Sequence, residues 1–498
     1  MAYLRAHPRA FRLLLTACLA GLLLGPLTSC DRSRDPDKIT LEVWTLALRP
    51  AFTDYMESLC ASFEDAHPGV EVVWVDVPYN AISRKLVAAA AADRGPDVLN
   101  LSDRDFARFA ALGALRPLDG ILPGDPDARY VPGALSSLVL GGERLALPWY
   151  LTTSVRLVNA DLLLAQAGLS PDALPDDWAG LRTLARSYHA DTGGFLLSLS
   201  LGDTSELPVM MMADGVLPFA EQDGRLVANL NTDEVAGYIA PWVDLYRAGA
   251  LPRAAATKNH SHLVEMFQEG RLAVVQTGPN MLGRIEGANP RVFARTAVMQ
   301  PVTGRLGRGH VAIMTLGVGA QSKHPELAAK LAWWITSPEA QLELARQAPV
   351  LPSAVEALGD TYFRPEGLNP SGDVVAGAGQ DTQAKLAAGR AASAGALPTA
   401  VAFTPALDAW PDMRRDFDEG MKRVLLEGAD LRATLAEVEA LWNDALRASR
   451  PATLDVAPAP DPVAMRNHGA APFHWWHGRL ARDGWCGAPR SLCFRGAA

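Results

Sequence analysis

The first quarter of the chain alternates between short apolar segments and amphipathic ones, and this alternation limits the possible folds more than any other feature. The apolar segments have the two-residue period of β-strands and cover 39–44, 70–77 and 97–101. Each strand is followed by a segment with helical spacing. These segments cover 50–67, 81–92 and 106–112. Parallel strands need a crossover between them, so strands and helices at this spacing favour βαβ units. The pattern predicts an α/β fold with a mostly parallel sheet.

The turn at residues 278–280 is a candidate ligand site. Residues 272–276 are predicted to form a strand, Gly278 allows a tight turn, and Pro279 suits the first position of a helix. Asn280 and Met281 are therefore predicted at a helix N-terminus just beyond a strand, where open α/β sheets bind ligands. The alternative is that Gly-Pro-Asn only joins a strand to a helix, and the local sequence leaves both interpretations open.

The N-terminus has the pattern of a secretion signal. An apolar run at 13–24, too short to span a bilayer comfortably, follows three basic residues, Arg5, Arg9 and Arg12. The sequence Leu-Thr-Ser-Cys that ends at Cys30 resembles the lipobox of bacterial lipoproteins, in which the cysteine becomes the lipidated first residue. We therefore predict a lipoprotein signal peptide at 1–29 and lipidation of Cys30. The alternative is an ordinary signal peptide with an incidental cysteine.

The residues after Cys30 predict where the mature chain is held. Asp31 resembles the signal that keeps a lipoprotein on the inner membrane, and the charged, proline-containing segment 30–38 suits a flexible tether. No later run is long and apolar enough to span a membrane. We therefore predict an extracytoplasmic protein, anchored to the inner membrane by lipid alone and facing the periplasm.

The charge balance excludes one class of partner. The net charge is -9 and no run of Lys or Arg stands out, which argues against nucleic acid and against a polybasic membrane surface. We predict a monomer without a metal or cofactor. Segment 449–498 is predicted to be a linker and a disordered tail. A loop closed by Cys486 and Cys493 is an alternative, and zinc bound with His474 and His477 is disfavoured because the spacing matches no zinc pattern.

Several motifs occur in the order found in family 1 of the extracellular solute-binding proteins of ABC importers, the group that contains the maltose-binding protein. KLVAAAAADRGPDVLNL resembles the family's helix, G-x-P-D-V and strand, and MFQEGRLAVVQTGPNMLGRI resembles its F-x-x-G-K-A-A-M-x-x-x-G-P-W. SKHPELAAKLAWWITSPEAQ resembles its S-K-N-P-E-A-A-x-K-F segment. The resemblance implies a two-lobed periplasmic-binding-protein fold (type II), in which each lobe is a mostly parallel sheet flanked by helices and a hinge joins the lobes. It also implies no catalytic residues and delivery of the solute to an ABC permease. It places lobe 1 at 39–147 and 305–365, and lobe 2 at 148–304 and 366–448.

The resemblance also implies which residues meet the solute. In sugar-binding members, aromatic rings stack on the sugar while polar side chains bind its hydroxyls, as the chemistry of a sugar requires. The candidate positions here are Trp44, Asp103, Trp149, Tyr150, Asp203, Ser205, Asn280 and Trp410, and Tyr79 is also predicted to reach the cleft. Trp44 could instead be a core residue and Asp103 a helix cap. Asn280 replaces the family's Trp, and the loop with Asp203 lacks its aromatic residue. These differences favour a solute that is less extended than a long maltodextrin, or one that needs more polar contacts.

Three other functions stay open. Glycerol phosphate or another polyol is an alternative solute, and phosphate would require basic residues such as Arg156, Arg253, Arg284 and Arg305. A cell-envelope enzyme is a rival of a different class. It is disfavoured because the chain has no G-x-S-x-G, H-E-x-x-H or P-loop motif. A binding lobe repurposed for sensing is a third possibility.

Overall fold

A computed structural model describes residues 38–448, apart from 80, 224, 365–373, 377–381, 403–406 and 408. The predictions for the signal peptide, for Cys30 and for the tail after residue 448 lie outside the described residues. Within the described part of the chain, no helix has both the length and the apolar character needed to cross a bilayer.

Fifteen strands are described, and single helices separate them only as far as β3. The strands are β1 (Ile39–Leu46), β2 (Val70–Val77), β3 (Val98–Ser102), β4 (Val139–Leu140), β5 (Glu143–Arg144), β6 (Ala146–Thr153), β7 (Val155–Asn159), β8 (Phe219–Gln222), β9 (Arg225–Ala228), β10 (Val274–Thr277), β11 (Thr296–Met299), β12 (Gly309–Val318), β13 (Leu351–Pro352), β14 (Val374–Ala376) and β15 (Ala400–Val401).

The described helices vary from one turn to five turns. They are α1 (Thr53–Ala66), α2 (Ile82–Ala91), α3 (Asp103–Ala111), α4 (Pro126–Arg129), α5 (Pro132–Ser136), α6 (Ala160–Ala167), α7 (Trp178–Thr192), α8 (Leu207–Ala213), α9 (Asp233–Arg247), α10 (His260–Gln268), α11 (Met281–Ala288), α12 (Pro290–Ala294), α13 (Pro325–Ile335), α14 (Pro338–Gln347), α15 (Val355–Leu358), α16 (Thr382–Ala396), α17 (Trp410–Lys422) and α18 (Leu431–Ala448).

The larger sheet forms the centre of what we call the first lobe. Its strand order is β13-β6-β12-β3-β1-β2, with β15 paired to β12. Strand β1 runs parallel to β2 and β3, as the alternating pattern predicts. Strand β12 runs antiparallel to both β3 and β6. Hydrophobic clusters cover both faces of the sheet, one including Phe63 and Trp149 and the other including Leu101 and Phe106.

The smaller sheet forms the centre of the second lobe, and its strand directions correct the sequence prediction. Its order is β10-β7-β11-β14, and each neighbouring pair is antiparallel. The prediction of a mostly parallel sheet in each lobe is therefore wrong for this lobe, and the first lobe's sheet is mixed. The reason is the chain path, because β7, β10 and β11 are not successive members of βαβ units.

The chain passes between the two sheets more than once. Strand β6 pairs with β12 as far as Thr153, and β7 begins in the other sheet at Val155. The first crossing therefore lies at Ser154 and not at Pro148, where the resemblance placed it. The chain returns between Met299 of β11 and Gly309 of β12. The remaining lobe boundaries stay predictions.

Candidate functional site

The two lobes approach each other along one edge of each sheet, which we call the interlobe edge. On the first lobe it comprises the carboxyl ends of β1, β2, β3 and β6, which point the same way because β3 and β6 both run opposite to β12. On the second lobe it comprises Thr277, the last residue of β10, and its partner Val155. A Cβ added to Gly278 would lie 3.7 Å from Cγ2 of Thr152 in the first lobe, so the two edges are close there.

Three of the predicted site residues lie at the interlobe edge of the first lobe. Tyr79 follows β2 and is 57% exposed. Asp103 follows β3 as the first residue of α3, and the Ser102 hydroxyl caps this helix by accepting a hydrogen bond from the Asp105 amide. Tyr150 is half-buried in β6. Burial raises the pKa of the Tyr150 phenol, and the nearby phenol of Tyr79 raises it further.

His310, which the sequence motifs do not mark, lies near a charged group from each lobe. His310 is the second residue of β12, and burial lowers the pKa of its imidazole. The Asp103 carboxylate and a hydrogen bond to the Val401 backbone oppose this change, while the Arg414 guanidinium of α17 adds to it. The charges of Asp103 in the first lobe and Arg414 in the second both act on this imidazole, so both lie near it. No local motif marks His310, since Asp103 and Arg414 are distant in the sequence.

The loop that contains Asp203 and Ser205 is held by α17. The Asp418 carboxylate accepts hydrogen bonds from the backbone N–H groups of Thr204 at 2.8 Å and Ser205 at 3.0 Å. Arg414 donates to the Ser205 carbonyl. Burial raises the pKa of Asp418, although these amide bonds and Arg414 oppose the change. Ser205 itself is fully buried, so its role is in the loop structure, whereas Asp203 is half-exposed.

Replacing Asp418 by alanine should loosen this loop. The backbone N–H groups of Thr204 and Ser205 would lose their acceptor, and that of Ser205 is buried, where an unsatisfied donor costs about 1–3 kcal/mol. We therefore expect a lower free energy of unfolding in urea, and faster hydrogen exchange at the Thr204 and Ser205 amides. Asp412→Ala on the same helix is the matched control, because the Asp412 side chain is 65% exposed. Equal effects of the two substitutions would contradict this account of the loop.

The three predicted tryptophan contacts lie inside hydrophobic cores. Trp44 is 4% exposed with the Lys85 ammonium 4.0 Å from its ring centroid, and Trp410 is 3% exposed beside Phe219 and Trp442. Trp149 is the extra residue of a bulge in β6, since Met314 pairs with Tyr150 and Thr315 pairs with Pro148. Its ring packs into the core and has no exposed surface. A ring with so little accessible surface offers no face on which a solute could stack, so the structure does not support these three predicted contacts.

Asn280 lies where the sequence predicts. It is exposed, follows Pro279, and directly precedes α11. The predicted strand and helix on either side of the turn are confirmed as β10 and α11, although the strand begins two residues later than predicted. Because β10 ends at the interlobe edge, Asn280 lies at the same edge. Among the described residues, no group of three or more His, Cys, Asp or Glu side chains is arranged to hold a metal ion.

Comparison with known proteins identifies the family. The sequence profile named bacterial extracellular solute-binding protein matches residues 49–342. A structure from Synechococcus sp. MITs9220, described as a candidate oligosaccharide periplasmic-binding protein, is 34% identical with a TM-score of 0.71, covering 82% of this chain and 100% of its own. The sugar-binding protein MalE of Xanthomonas citri has a TM-score of 0.65 at 21% identity, covering 82% and 98% of the two chains.

A curated relative is similar over most of its length. An uncharacterized lipoprotein of Streptomyces antibioticus is 25% identical over 353 residues, which are 70% of this chain and 77% of the relative. The profile covers more than half of the chain, and the solved structures share its two-lobed architecture. The protein therefore belongs to the family of bacterial extracellular solute-binding proteins and has the two-lobed periplasmic-binding-protein fold.

Proposed function

We propose that the protein is a lipid-anchored solute-binding protein that captures a sugar between its lobes and delivers it to the permease of an ABC importer. One observation carries this proposal. The interlobe edge carries hydrogen-bonding side chains from both lobes, Asp103 from the first and the exposed Asn280 from the second, together with the exposed ring of Tyr79. A sugar presents hydroxyl groups and apolar C–H faces, so a sugar site needs hydrogen-bonding groups and an aromatic ring together.

The proposed site contains fewer residues than the sequence predicts. It keeps the residues that lie at the interlobe edge or on the half-exposed loop, which are Tyr79, Asp103, Tyr150, Asp203 and Asn280. It omits Trp44, Trp149, Ser205 and Trp410 because their side chains are buried. The binding partners would be one small hydroxylated solute and the permease subunits.

The distribution of aromatic rings bears on the size of the solute. In the described part of the second lobe, every Trp, Tyr and Phe side chain is at least partly buried. The first lobe contributes the exposed Tyr79. Because long oligosaccharides use several stacking rings, a single exposed ring favours a solute less extended than a long maltodextrin.

Thermal-shift screening of the full chain in detergent tests the function. The panel would contain monosaccharides, disaccharides, maltodextrins of increasing length, polyols and phosphodiesters. A true solute at one hundred times its dissociation constant should raise the free energy of unfolding by about 2.7 kcal/mol. Tightest binding of a long maltodextrin would contradict the size argument, and binding of no sugar or polyol would contradict the function itself.

Replacing Tyr79 by alanine should weaken solute binding without unfolding the protein. The ring is 57% exposed, so the core loses little, whereas a stacked sugar would lose its apolar surface. Stacking by an aromatic ring contributes about 0.5–1.5 kcal/mol, so we expect the dissociation constant to rise between twofold and about tenfold. Isothermal titration of Tyr79→Ala measures this change. Tyr79→Phe keeps the ring and should bind nearly as the parent does, and equal losses in both variants would argue against stacking.

Two observations disfavour the glycerol-phosphate alternative. Arg156 is fully buried, and its guanidinium lies 2.7 Å from the Asp176 carboxylate. Arg305 donates to the Asp214 carbonyl and pairs with Glu234. Two of the four arginines that could bind a phosphate therefore already have hydrogen-bonding partners within the second lobe. Arg253 and Arg284 are exposed.

Lipid anchoring rests on the Leu-Thr-Ser-Cys sequence that ends at Cys30. The Streptomyces antibioticus relative is named a lipoprotein, which supports the same proposal. Labelling of the chain with radioactive palmitate in a bacterial host should mark the parent protein and not Cys30→Ala. Release of the parent protein into the soluble periplasmic fraction would contradict the anchor.

The enzyme alternative has a separate test. The family comprises binding proteins, so we propose that this chain makes and breaks no bond in its solute. Incubation with a panel of chromogenic glycosides should release no chromophore above the rate of a heat-denatured sample. Turnover would revive the alternative of a cell-envelope enzyme.

A further inference from the structure

A hydrogen-bonded group of three side chains lies in the second lobe, and neither the sequence motifs nor the proposed site includes it. His260 is the first residue of α10, and its Nδ1 lies 2.8 Å from Oε1 of Glu206. Its Nε2 lies 3.2 Å from Oγ1 of Thr277. The three residues come from three separate segments of the chain. Because both ring nitrogens are engaged, the orientation of the imidazole is fixed.

This group lies at the interlobe edge. Thr277 is the last residue of β10 and pairs with Val155, next to the crossing from the first lobe. Glu206 directly precedes α8, and this helix packs near β12 of the first lobe. The Glu206 carboxylate is therefore placed on the side of the second lobe that a solute between the lobes would reach.

One carboxylate oxygen of Glu206 is engaged in a hydrogen bond, and the other is available to a solute. The loop before it is fixed by Asp418, which accepts hydrogen bonds from the N–H groups of Thr204 and Ser205. His260 engages Oε1, and no hydrogen bond joins Oε2 to any of the described residues. The side chain of Glu206 is 29% exposed. A carboxylate with one fixed oxygen and one available oxygen is suited to accept a hydrogen bond from a hydroxyl group.

We propose that Glu206 binds a hydroxyl group of the solute and that His260 is a positioning residue that orients its carboxylate. The inference rests on the proposed function and deepens it. A carboxylate accepts hydrogen bonds from neutral hydroxyls and repels anions, so the solute class is a neutral polyhydroxylated molecule. A phosphate group at this position is disfavoured on the same ground.

The ionisation of His260 gives the proposal a second readout. Burial lowers the pKa of His260, but the hydrogen bond and the negative charge of Glu206 outweigh burial, and the pKa is raised. The imidazole therefore carries its charge below this raised pKa, and the charged pair is lost as the pH rises through it. Of the neighbouring charged groups, His262 and Glu265 pair with each other, and Lys258 and Arg253 are exposed. Glu206 is thus the charged group that contacts the imidazole.

The test uses isothermal titration of the full chain in detergent with four neutral probes, mannitol, maltose, maltotriose and diacetylchitobiose, each titrated separately. For a probe that the parent protein binds, Glu206→Gln should raise the dissociation constant about tenfold to a hundredfold, the range expected for a lost charge-assisted hydrogen bond. His260→Gln should raise it less, about threefold to tenfold, and should remove the loss of affinity that the parent shows as the pH rises through the pKa of His260. Glu269→Gln is the control, because Glu269 lies in the same lobe and its side chain is 57% exposed.

The outcomes separate the inference from the proposed function. Unchanged affinity in Glu206→Gln, with the parent binding a probe, would overturn the inference and leave the function standing. Binding of none of the four neutral probes by the parent would overturn both. If Glu206→Gln lowers the thermal midpoint of unfolding, the pH dependence of solute affinity in His260→Gln becomes the test of the inference. A pH profile parallel to that of the parent would then overturn the positioning role, and a flattened profile would support it.

Discussion

Replacing Trp442 by alanine will lower the free energy of unfolding by about 3–5 kcal/mol, the range found for removing a large aromatic side chain from a core. Trp442 has no exposed surface and lies in the middle of the second lobe's core. Its ring centroid is 5.5 Å from that of Phe219, 5.7 Å from Trp410 and 6.3 Å from Phe417. Its N–H also donates to the Met413 carbonyl at 2.6 Å. The substitution removes the ring that joins α17 and α18 to the hairpin of β8 and β9.

The neighbouring residue supplies a matched control. Leu441 precedes Trp442 in α18, and it is 50% exposed. Leu441→Ala should change the stability by less than about 0.5 kcal/mol, as surface substitutions usually do. Urea unfolding followed by tryptophan fluorescence and by circular dichroism measures both variants. A Trp442→Ala variant as stable as Leu441→Ala would contradict the packing described for this lobe.

Replacing Gly202 by alanine will destabilise the second lobe by about 1–3 kcal/mol, the cost of forcing extra atoms into a packed site. A Cβ on Gly202 would lie 2.4 Å from the carbonyl oxygen of Ala256, which is closer than atoms can approach. That oxygen belongs to the backbone, so it cannot rotate away as a side chain could. The loop from Asp203 to Glu206 would have to move, and we therefore expect weaker solute binding as well.

A second glycine separates the effect of crowding from the effect of losing a glycine. Gly283 lies inside α11, and a Cβ there would meet nothing within 4 Å. Gly283→Ala should be neutral or stabilising by about 0.5–1 kcal/mol, because alanine favours helices over glycine. Thermal unfolding and solute titration of both variants test the prediction. Solute binding that is unchanged in Gly202→Ala would show that this loop lies outside the site.

The local elements of the fold could be predicted from the sequence, whereas the strand directions in the second lobe could not. The alternating pattern predicts β1, β2 and β3 correctly because each helix between them is a local crossover. Ser337 caps α14 as its position before Pro338 indicates. The antiparallel pairing of β7 with β10 and β11 depends on where the chain re-enters a sheet after long excursions, and no local signal records this.

The candidate site shows the same division. Strand ends predict the positions of Tyr79, Asp103 and Asn280, since residues that follow strands collect at one edge of a sheet. Burial of Trp149 depends on a bulge, and burial of Trp410 depends on rings contributed by distant segments. Glu206 and His260 are 54 residues apart, so sequence spacing could not bring them together.

The central claim is that two lobes close on one small hydroxylated solute. Small-angle X-ray scattering of the full chain tests it most directly, recorded without solute and at saturation with the compound that the thermal-shift panel identifies. Closure should reduce the radius of gyration, while titration shows one solute per chain. An unchanged radius of gyration at proven saturation would contradict the claim.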